Sequence, residues 1–178
     1  LYQLEGTNRM TAHSFPTDLS RRARSCKFWI LLGAALIVVT GLSLVKDWWL
    51  TGDRPNILFY LLVPLVDVLG AAAVITLTGN LFGQELAFRD VLALNMGVSI
   101  VMQLVEIIAQ VIYYQVQTYP GLLYLAFSFA LYPFLLGLGL VRWARLRPWI
   151  AFMLAVAGLI GSWLVVVLFT SFTGLSGP

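Results

Sequence analysis

The sequence predicts an all-α polytopic integral membrane protein: a bundle of five transmembrane helices, N-terminus cytoplasmic and C-terminus outside. Three observations predict it. The 178 residues are 60% hydrophobic and only 11% charged, against about 25% charged in a typical soluble domain. Five apolar stretches each approach the ~20 residues needed to cross a bilayer core. Lysine and arginine gather on alternate connectors, as the positive-inside rule requires.

The leader comes first. Residues 1–9 precede Met10 and are set aside as a vector-derived leader. Residues 10–27 form a basic cytoplasmic segment, and residues 28–178 a single transmembrane domain. Arg21, Arg22, Arg24 and Lys27 abut the first span, as a topology determinant or as contacts to anionic lipid headgroups. Cys26 is the one cysteine and His13 the one histidine. No internal disulfide, zinc site or histidine-ligated haem can be assembled from them, so neither a metal nor a cofactor is expected. The net charge is +3, yet no basic groove with interleaved aromatics accompanies it, and nucleic acid is excluded as a partner.

The five spans are 28–45, 57–78, 91–114, 122–141 and 149–169. The first is too long for a signal-peptide core and is followed by Lys46-Asp47-Trp48-Trp49, so it is retained as a helix. The connectors carry turn punctuation: Gly52 to Asn56, Gly79-Asn80, Pro120-Gly121 and Arg147-Pro148. Tyr60, Tyr113, Trp143 and Trp149 fall near span ends, where aromatic belts form. Nine of the 11 basic residues lie on one side, in the leader, at Arg89, and at Arg142, Arg145 and Arg147. Only Lys46 and Arg54 lie opposite. This asymmetry sets the orientation.

The third span carries the best lead on function. Asn95, Ser99, Gln103, Glu106 and Gln110 follow one another at spacings of 4, 4, 3 and 4. At about 100° per residue they share an arc of roughly 80°, with Tyr113 one turn further. A carboxylate in hydrocarbon is expensive and normally faces a partner helix or a wet cavity. Asp67 is the second intramembrane carboxylate, three residues after Pro64. At 1.5 Å per residue it lies ~15 Å deep, closer in depth to Gln103 (~18 Å) than to Glu106 (~23 Å). The stripe has two readings: a proton- or cation-linked cavity, or interhelical glue. On the fourth span, Tyr124, Ser128 and Tyr132 repeat the theme before Pro133. Small residues such as Gly70, Gly158 and Ser162 permit close helix approach.

Gly79-Asn80-Leu81-Phe82-Gly83, followed by Leu86-Ala87-Phe88-Arg89-Asp90-Val91-Leu92-Ala93-Leu94, resembles the central connector of Yip-type (Ypt-interacting protein) membrane proteins. Leu135-Leu136-Gly137-Leu138-Gly139-Leu140, an arginine-rich turn and Ala151 resemble the last helix pair of that family. The resemblance runs from Asn56 to Phe169. It implies a five-helix membrane bundle with a cytoplasmic N-terminus and supplies no catalytic residues. Eukaryotic members are linked to vesicle traffic and small GTPases. The short leader suits a bacterial cytoplasmic-membrane protein instead.

No phosphate-binding loop, zinc-protease motif or serine-nucleophile motif is present. The chain is expected to be a non-enzymatic scaffold, accessory subunit or membrane-organising factor. Its partners are the bilayer and, where the symmetry requires, other membrane subunits or a second copy. A small proton- or cation-coupled transporter or channel using Asp67 and Glu106 is the first alternative, and a lipid-handling protein the second.

Overall fold

The computed structural model describes residues 25–52, 56–116 and 121–175; at residue 51 and in 113–116 and 121–128 it describes the helical backbone only. The described residues form five helices and no strand: α1 (Cys26–Thr51), α2 (Ile57–Leu81), α3 (Phe88–Val116), α4 (Gly121–Ala144) and α5 (Pro148–Thr173). Helices α1, α2, α3 and α5 are long and apolar enough to cross a membrane, and the described apolar stretch of α4, Phe129–Ala144, is shorter.

The helix ends follow local chemistry. Asn56 caps α2, its side chain accepting from the Phe59 amide at 3.4 Å. Gly83, at φ 71°, lets the chain leave α2 in a left-handed turn that few other residues adopt. There Gln84 N–H donates to Gly79 O at 2.9 Å, and Asn80 Oδ1 accepts from the Leu86 amide at 3.0 Å. Pro148 opens α5 in its first turn, where a missing N–H costs nothing.

The largest departure from the sequence reading is in α1. The helix runs to Thr51, not to 45, and stops only where Gly52, at φ 74°, donates its N–H to Trp48 O at 3.0 Å. Lys46 is therefore no connector residue. It is buried, at 7% exposure, because its ammonium finds partners inside the bundle.

Helices α2, α3, α4 and α5 close a ring, each packed on the next, and α1 lies along the groove between α2 and α3. The most extensive packing joins α2 to α5. Gly158 faces Ile75, Gly161 faces Val74 and Gly70 faces Val165. Lipid tails are as apolar as leucine, so hydrophobic burial cannot drive this association. Close approach of small residues gains dispersion contacts instead. The core gathers at one end of the ring, around Ile75, Leu94, Leu136, Leu140 and Leu154. Large apolar side chains such as Ile30, Ile37, Leu77, Trp163 and Phe172 cover the outer faces.

A Cβ at Gly161 would meet a Val74 methyl at 2.5 Å and the Val74 Cβ at 3.0 Å, and a branched side chain cannot swing aside. Gly161→Val is expected to cost about 1–3 kcal/mol, read as a lowered melting temperature in detergent. Gly97→Ala, where nothing lies within 4 Å, serves as the neutral control.

Candidate functional site

The seam on α3 divides into a dry part and a cavity-lining part. Asn95, one turn before Ser99, is fully buried. Its amide Nδ2 donates to Val68 O on α2 at 2.9 Å, and its Oδ1 accepts from the Tyr132 hydroxyl on α4 at 2.5 Å. One side chain thus ties three helices together. These two bonds use up the hydrogen-bonding capacity that faces those helices.

Beyond Asn95 the helices part. Two adjoining lobes of ≈ 240 and ≈ 380 Å³ share Asp67, Gln103, Glu106, Phe129, Leu159 and Ser162 in their walls. The smaller lobe adds Ser99 and Tyr132, and the larger adds Thr40, Ser43, Lys46, Asp47, Tyr60 and Pro64. These walls come from the C-terminal halves of α1, α3 and α5 and the N-terminal halves of α2 and α4. The cavity therefore occupies the end of the bundle opposite the packed core, and the Asn95–Tyr132 bond forms its floor.

A chain of polar contacts runs along the rim. The Tyr60 hydroxyl donates to Asp47 Oδ2, and Asp47 pairs with Lys46 at 3.0 Å. Lys46 Nζ donates to Gln110 Oε1, and Gln110 Nε2 donates to Glu106 Oε1 at 3.3 Å. Thr40 Oγ1 reaches Gln103 Oε1 at 3.5 Å. Asp67 stands across the cavity with Ser162 beside it, the Ser162 hydroxyl also donating to Leu159 O at 3.0 Å. Among the described residues neither Asp67 nor Glu106 has a lysine or arginine within ion-pair distance. Ser99 Oγ is buried in the wall without a hydrogen-bond partner.

Both carboxylates thus face one space, although their depths along the chain suggested that Asp67 pairs better with Gln103. Gln110 acts at the rim, through Lys46 and Glu106. The Tyr113 side chain lies outside the described residues, as do Arg21, Arg22, Arg24 and the side chains of Tyr124 and Ser128. Lys27, Arg142, Arg145 and Arg147 are exposed, away from the cavity.

Sequence reasoning missed several lining residues, Ser43 among them. Lys46 and Asp47 read as a span terminus, Tyr60 as an aromatic belt, and Thr40 as an ordinary span residue. The spacing of Thr40, Ser43 and Asp47, 3 and then 4, is a one-face helical pattern that held the signal. No protein-family model, curated protein or solved structure matches the chain.

Two outcomes are expected. Lys46→Met removes the ammonium shared by Asp47 and Gln110, while Asp47 keeps the Tyr60 hydroxyl, and should destabilise the protein by about 2 kcal/mol, less than a fully buried pair because Asp47 is 22% exposed. Asn95→Leu and Tyr132→Phe should each cost about 1 kcal/mol. The double variant should cost clearly less than their sum, measured by chemical denaturation as a double-mutant cycle.

Proposed function

We propose that this chain is a non-enzymatic, five-span protein of a bacterial cytoplasmic membrane that binds and passes a small cation or proton. In this reading the basic end faces the cytoplasm and the cavity lies in the outward half. One observation carries it: Asp67 and Glu106 face a common cavity with no basic side chain paired to either among the described residues. Carboxylates are retained at membrane depth where they meet an ion, a proton or water. Pro64 and Pro133 support the same reading. Each removes an amide donor and leaves the carbonyl four residues earlier, on Tyr60 and Phe129, without its helical partner, and both those residues line the cavity.

A second reading, a Yip-type scaffold or accessory subunit, is favoured by the tightly packed opposite end, where glycines on α5 seat α2 side chains. Flux separates the two. Proteoliposomes of the wild type should pass protons or monovalent cations, with Glu106→Gln and Asp67→Asn each reducing the rate about tenfold, equivalent to ~1.4 kcal/mol. Rates unchanged in both variants would reject transport and leave the scaffold.

A further inference from the structure

The cavity has a chemical bias beyond its charge. Its two carboxylates, Asp67 and Glu106, accept hydrogen bonds, and the prolines leave the carbonyls of two lining residues, Tyr60 and Phe129, without a helical partner. The ammonium and the phenolic hydroxyls are committed elsewhere. Lys46 serves Gln110 and Asp47, Tyr60 serves Asp47, and Tyr132 serves Asn95. Ser99 adds an independent sign that something is meant to fit. The residue is only 6% exposed and lines the smaller lobe, and its hydroxyl is buried without a partner. A buried hydroxyl left unpaired costs about 1–3 kcal/mol, which a ligand group would recover.

The rest of the wall is apolar and aromatic. Phe129, Leu159 and Trp163 line the larger lobe, and an aromatic face attracts a cation as well as an apolar body. Among the described residues no group of three His, Cys, Asp or Glu is placed to hold a metal ion.

We propose that the cavity is a binding site for a primary organic ammonium ion, with Asp67 as counter-ion, Ser99 as a hydrogen-bond partner and Phe129 against the organic body. This names the substrate class of the cation-passing site and rests on that reading for its location. A bare metal ion would leave the aromatic wall unused, and a quaternary ammonium would leave the acceptors unpaired.

The test is calorimetric titration of the purified full chain in detergent with benzylammonium chloride. Saturable binding is expected, about tenfold weaker for Asp67→Asn, a few-fold weaker for Ser99→Ala and Phe129→Leu, and about tenfold weaker for benzyl alcohol. Sodium chloride at equal concentration should not compete. Equal affinity of benzyl alcohol overturns the proposal, as does wild-type affinity in Asp67→Asn; if that variant does not fold, wild-type affinity in both Ser99→Ala and Phe129→Leu does so. Micelles carrying phosphatidylethanolamine separate two sources of the same headgroup chemistry: competition assigns a lipid, and unchanged binding a free amine. Binding without flux removes transport and keeps the ligand class. Proton flux without benzylammonium binding removes the ligand class alone.

Discussion

Hydrocarbon offers no hydrogen bonds, and from that constraint the arrangement of this bundle follows. The polar arc on α3 must be turned inward, which fixes the rotation of α3 about its own axis. Once it is turned inward, each amide and carboxyl needs a partner from a neighbouring helix. Asn95 takes Val68 O and Tyr132, and Gln110 takes Lys46. These bonds choose the neighbours as much as apolar packing does. The case of α1 is clearest, because its buried apolar cluster with α2 and α3 is small, centred on Leu36, Val68 and Met96. Polar contacts at Thr40 and Lys46 add to its attachment.

The same constraint divides the molecule. At one end the core is mostly apolar or small, with Thr76 and Asp90 buried beside it, and α2 and α5 approach until glycine is the residue that fits at 158 and 161. At the other end, bulky Phe59, Tyr60, Phe129 and Trp163 border the space, Phe129 and Trp163 from largely exposed positions, and Pro64 and Pro133 interrupt their helical hydrogen bonding. A space remains there, and the charged groups border it. The packed end and the open end are two solutions to packing five helices, written in different residue sizes.

Much of this was legible beforehand. The α3 arc followed from spacing alone, because 3.6-residue periodicity places Asn95 through Gln110 on one face whatever surrounds them. Turn punctuation placed the starts of the second and fifth spans at 57 and 149, and the helices begin at Ile57 and Pro148. The end of α1 was not. Hydropathy scores Lys46 and Asp47 as the edge of a span, whereas their burial depends on Gln110 and Tyr60, which belong to other helices. The merging of Asp67 and Glu106 into one wall was hidden for a related reason. Depth counted along each helix says nothing of how far a proline-containing helix leans, or of how much width two carboxylates can share.

The packed end has an electrical consequence. In a bilayer, a transmembrane voltage falls mostly across the region of lowest permittivity, and here that region is the dry half beneath Asn95 rather than the full thickness. For the proposed passage of a cation from Asp67, crossing this half would expose the charge to most of the field, worth up to ~2.3 kcal/mol per 100 mV for each elementary charge. The packed half of the bundle would then act as the dielectric of a molecular capacitor.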